Sequence, residues 1–103
     1  MLSTSVMQKR PEIVLGEIAQ ELQVSERDAL RQALRALLQQ HLREINTQML
    51  EITGRYGVSS VNEMEARYQA GTLEEAGSWR DAQRLDHLEY KRDRLGEFLE
   101  ALE

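Results

Sequence analysis

A chain of 103 residues makes one small domain with a thin core, so association with a second copy or a partner is expected to supplement its stability. Its 18 acidic against 13 basic side chains, a net charge of −5, argue against a protein that simply coats nucleic acid, because such affinity comes from cations neutralising phosphates. Cysteine is absent, which excludes a disulfide framework and a thiolate metal site, and a single proline with few aromatic residues leaves a helix-forming composition.

Residues 1–10 form a polar arm. The weak alternation of Leu2, Thr4 and Val6 with Ser3, Ser5 and Met7 reads as disorder in the free monomer or as a short β-strand. The arm lacks the charged region and apolar core of a secretory signal, and no apolar run approaches the roughly 20 residues that span a bilayer. A cytoplasmic protein with no membrane contact is expected. Pro11 suits the first turn of a helix and Glu12 complements its dipole; Ile13, Leu15, Ile18, Ala19 and Leu22 then recur at helical spacing, predicting a first helix over residues 12–22.

Gln23 and Val24 interrupt that pattern, and Ser25 with Asp28 makes a capping-box-like start for a second helix. Its apolar positions, from Ala29 and Leu30 through Leu34, Leu37, Leu38, Leu42, Ile45 and Met49 to Ile52, meet no breaker before Gly54, so it is predicted over residues 26–53. One short neighbour cannot cover such a helix, which favours a dimer. "GRYGVSS" is a loop, and Ser60 with Glu63 opens a third helix, residues 60–70, that ends at Gly71. Two further cap signals follow, Thr72 with Glu75 and Ser78 with Asp81, and the second starts a last helix over residues 78–102. Leu85, Leu88, Leu95, Leu99 and Leu102, with Arg92 filling the gap, step by threes and fours like the a/d seam of a coiled coil. The expected fold is therefore all-α, four helices around a long helical hairpin, assembled as a dimeric bundle. Residues 1–54 are read as an arm plus hairpin, and residues 55–103 as an acidic partner-binding segment, the two forming one structural unit.

Charge separates these halves. Residues 1–50 carry six basic and six acidic side chains, whereas the remainder carries seven against twelve. A basic partner is thus expected on the C-terminal half and any DNA contact on the N-terminal half.

Two patterns in the first half point to DNA. Ile18, Ala19, Leu22, Val24, Ser25, Ala29, Arg31 and Leu34 resemble the helix-turn-helix fingerprint, with Gln23 standing where that turn takes glycine and Asp28 on the face meant for DNA. More of the chain resembles the ribbon-helix-helix domain of small repressors and antitoxins: "RPEIVLGEIAQELQVSERDALRQALRALLQQ" matches at Pro11, Ala19, Leu22, Val24, Ser25, Leu30, Arg31, Ala33 and Leu34. That resemblance, over about residues 3–42, implies an arm paired with its copy in the major groove, with Ser3, Ser5 and Lys9 or Met7 toward the bases and Val24 and Ser25 holding a phosphate. Arg27 and Arg31 complete the expected DNA-binding set.

Antitoxins of this kind carry a second segment that wraps a toxin, and residues 55–103 suit that role. Trp79 and Arg80 are interface-type anchors, joined by the seam residues Leu85, Leu88, Arg92, Leu95 and Leu99. The plainer reading is that Trp79, Tyr56, Tyr68 and Leu85 fill the core. His41 and Glu44 are an isolated pair that cannot complete a metal site, His41 being read as a half-buried core or dimer-interface residue. Two histidines, no cysteine and no phosphate loop predict no enzyme, no cofactor and no metal. The function expected is a small antitoxin-like or transcriptional regulator that binds a protein partner, a toxin in that family, and operator DNA. The alternative is a helical dimerisation or adaptor module without a DNA role.

Overall fold

The computed structural model describes residues 7–102, and four helices carry nearly all of them: α1 (Pro11–Leu22), α2 (Glu26–Tyr56), α3 (Val61–Ala70) and α4 (Trp79–Ala101). No strand occurs among the described residues; of the arm expected over residues 1–10, residues 7–10 form none and residues 1–6 lie outside the described residues. The chain divides into two compact units, residues 1–36 and residues 37–103. The division falls inside α2, whose later part supplies Ile45, Met49 and Ile52 to the core shared with α3 and α4.

In the first unit Pro11 begins α1, where its missing N–H would have no partner anyway, and Lys9 Nζ reaches the carboxylate of Glu17 at 2.7 Å. The helix ends at Gln23, which takes the left-handed conformation (φ 59°, ψ 44°) usually left to glycine. The N–H of Gln23 donates to the Gln20 carbonyl and that of Val24 to the Ala19 carbonyl, closing the last turn. Ser25 then caps α2, its Oγ accepting the Asp28 N–H at 3.0 Å. Asp28 does not reach back to complete a capping box; its carboxylate takes Arg31 at 3.4 Å instead.

The second unit holds the hydrophobic core. Ile45, Met49 and Ile52, at steps of four and three along α2, meet Val61 and Met64 of α3 and Ala82, Leu85 and Leu88 of α4, with Val58 from the intervening loop. Ile52, Met64 and Leu85 are wholly buried. Burial of side chains this size contributes roughly 1.5–3 kcal/mol each, so this cluster dominates the unit's stability.

Polar tethers fix the helix ends around it. α2 runs through Gly54, its expected stop, and ends at Gly57, whose φ of 65° lets the Val58 N–H return to the Thr53 carbonyl. Arg67 of α3 donates to the carbonyls of Tyr56 and Gly57 at that end. Ser60 caps α3 through the Glu63 N–H, while the Glu63 carboxylate reaches past Ser60 to accept the N–H and hydroxyl of Ser59 at 2.8 Å each. Those two donations hold Glu63 below the ordinary glutamate range, the backbone N–H being the larger cause. The Val61 N–H donates to Glu89 of α4, so one helix caps another.

The expected cap pair at the start of α4 is not made. Ser78 is buried, and its hydroxyl donates to the Glu74 carbonyl and sits 2.6 Å from the Tyr68 hydroxyl rather than capping the helix. Asp81 is drawn away to α2, where Arg55 lies at 2.6 Å and the Tyr56 hydroxyl donates to the same oxygen at 2.5 Å.

Candidate functional site

The expected DNA-binding residues fall in the first unit and are only partly free. Ser3 and Ser5 lie outside the described residues. Lys9 is tied to Glu17, Arg31 to Asp28, and the Ser25 hydroxyl to its own helix; Val24 is half-buried, and Arg27 is exposed with no ion pair among the described residues. Residues 1–36 hold five basic and five acidic side chains, so this unit carries no net positive field.

What distinguishes the first unit is how little apolar surface it buries. Ala19 is its one buried apolar side chain among the described residues, while Ile13, Ile18, Leu22, Leu30 and Leu34 are each between 38% and 64% exposed. Ile18 and Leu22 share a stripe of α1 with half-buried Val14, at steps of four, and Leu30 and Leu34 share one of α2.

In the second unit the expected partner residues separate. Leu85 and Leu88, placed on a seam toward another chain, are buried in this chain's own core, and Leu95 packs against the same cluster. Arg92 and Leu99 are half-buried, the Arg92 guanidinium bonding to the adjacent Asp93. Trp79 is 43% exposed, with the guanidinium of Arg80 5.5 Å from its ring centroid. The plainer core reading thus holds for Leu85 but not for Trp79, and Tyr56 and Tyr68 pack at the core's edge. His41 is more exposed than expected, its Nδ1 3.9 Å from Glu44.

Trp79 forms one wall of an open groove of about 460 Å³ on the second unit. Val61, Glu65 and Tyr68 line it from α3 at steps of four and three, Trp79, Ala82, Gln83 and Asp86 from α4, and Glu75 from the segment between them. The lining joins apolar and aromatic side chains to three carboxylates. None of Glu65, Glu75 and Asp86 makes an ion pair or a side-chain hydrogen bond among the described residues.

Residues 7–103 match the Uncharacterized protein MJ0235 family. The chain belongs to this family. Among the curated proteins and the solved structures compared with it, none matches. The match extends over both units, so the α1 to α2 elbow and the grooved three-helix core are parts of one family sequence.

Among the described residues no group of three or more histidine and acidic side chains is placed to hold a metal, and no helix is long and apolar enough to cross a membrane. The sequence did not bring Glu65, Tyr68, Glu75 and Asp86 together at one site: it read Tyr68 as core filling and Glu75 as a helix cap. The signal was there as two stripes, at steps of four and three on α3 and of three, one and three on α4, each beside an apolar stripe.

Proposed function

We propose that this protein is a helical dimerisation and adaptor module, in which the first unit joins two copies and the second presents a surface to a protein partner. The observation that carries it is the unburied apolar surface of residues 1–36, where five large aliphatic side chains are exposed against one buried alanine. A helix of 12 residues is marginal in water without tertiary packing, so α1 needs a cover to persist. A second copy supplies it: the unit is charge-neutral, and two identical faces pair without repulsion. The stripes of Val14, Ile18 and Leu22 on α1 and of Leu30 and Leu34 on α2 are the apolar surface that each copy offers.

Sedimentation equilibrium tests this. Twice the chain mass is expected for the wild type and a single chain mass for Leu22→Glu combined with Leu34→Glu, with the second unit still folded by near-UV circular dichroism of Trp79. A wild-type monomer at all concentrations contradicts the reading. The elbow, with Gln23 left-handed and Ser25 capping α2, is what favours the second reading, a regulator of repressor or antitoxin type. A gel shift on duplex DNA at moderate salt that is lost in Arg27→Ala with Arg31→Ala decides for that reading over the DNA-independent module.

A further inference from the structure

We propose that the groove between α3 and α4 is a docking site for an arginine side chain carried by a basic segment of the partner protein, an inference that rests on the second unit being the partner-facing part. The groove joins an exposed indole and the Tyr68 ring to three carboxylates that have no cation of their own among the described residues. A guanidinium satisfies both features at once. Its flat face stacks on an aromatic ring while its N–H fork donates to carboxylates, which the compact and strongly hydrated lysine ammonium does less well.

Arg80 already lies over the indole, so this ring tolerates a guanidinium from its own chain, yet Arg80 does not line the groove. Charge on the larger scale selects the same occupant. Residues 37–103 carry eight basic and thirteen acidic side chains, the entire net charge of the chain, so a basic segment is drawn to this unit whereas a second copy of it or a nucleic acid is repelled. The groove is also open to solvent rather than enclosed. Enclosed pockets suit free small molecules, whereas an open groove suits a side chain held by a peptide backbone.

Trp79 is the only tryptophan of the chain, so its emission reports on the groove directly. The probe is a short alanine-based peptide carrying several arginines, titrated at low salt and followed by Trp79 emission and by calorimetry. Saturable binding with a shift in Trp79 emission is expected. Loss of about tenfold in affinity is expected when Glu65→Gln is combined with Asp86→Asn, and a similar loss when citrulline replaces arginine in the peptide. Glu75→Gln, outside both helices, serves as the independent variant and should weaken binding in the same direction. An unmoved Trp79 emission, or a double variant that binds like the wild type, overturns the proposal, as does spermine binding the groove as tightly as the peptide. The dimer-breaking pair Leu22→Glu and Leu34→Glu lies in the other unit and should leave peptide affinity unchanged. Dimerisation without peptide binding therefore removes the groove assignment alone, and peptide binding by a monomer removes the dimer alone.

Discussion

Asp81 shows how a residue read as a helix cap becomes a tie between helices. Its carboxylate accepts the Tyr56 hydroxyl and the Arg55 guanidinium from α2, and these hold it below the ordinary aspartate range, with Tyr56 the larger cause and burial opposing. The same bond pushes the Tyr56 phenol above its ordinary value. A carboxylate with a lowered pKa stabilises the fold fully above the unfolded value near 3.9, and that contribution is lost as the pH falls through the folded value. A phenol with a raised pKa contributes below its unfolded value near 10 and loses its contribution as the pH rises through the folded one. Tyr56→Phe is therefore expected to lower stability by about 1 kcal/mol near neutral pH, the low end for a bond to a charged group because the carboxylate is partly in water. Urea denaturation from pH 3 to pH 11 checks it: the difference from the wild type should shrink at both ends, and a flat difference means that the bond does not form.

Among the elements, α2 turns on which of two glycines stops it. Gly54 sits inside the helix with open space around its Cα, whereas Gly57 holds φ 65° at the C-terminus. Gly54→Ala should stabilise by up to about 1 kcal/mol, since alanine is the better helix former and meets nothing. Gly57→Ala should destabilise by about 1 kcal/mol through left-handed strain, and thermal melts that move both variants the same way contradict this account. The pair also explains what the sequence conceals. Apolar spacing located all four helices, and Ser25 and Ser60 marked real starts, because caps and stripes are local and depend on neighbours a few residues away. α2 continues past Gly54 because a helix absorbs one internal glycine at a modest cost when packing continues beyond it, as that of Tyr56 does here. The Ser78 and Asp81 pair had the spacing of a cap but found better partners in Tyr68 and in Arg55 with Tyr56, residues distant in sequence. The groove escaped notice for the same reason: Glu65 and Asp86 are ordinary surface carboxylates until α3 and α4 are set side by side.

Across the whole molecule, apolar burial and charge are divided between the two units. Residues 37–103 hold the buried core and the entire net charge, while residues 1–36 are neutral and, among the described residues, bury only Ala19 of their apolar side chains. A unit whose one buried apolar side chain among the described residues is an alanine has little packing of its own, so under the proposed dimer its order tracks the second copy. The N-terminal region and the core are then expected to open at different free energies, the first set by protein concentration and the second by the chain's own packing. Amide hydrogen exchange followed residue by residue at low and high protein concentration measures this most directly. Protection of the α1 amides, from Val14 to Leu22, should rise with concentration while that of Met64 in α3 and Leu85 in α4 stays constant. Protection of α1 that is the same at every concentration, in a protein that sediments as a single chain, would contradict the claim that a second copy completes the first unit.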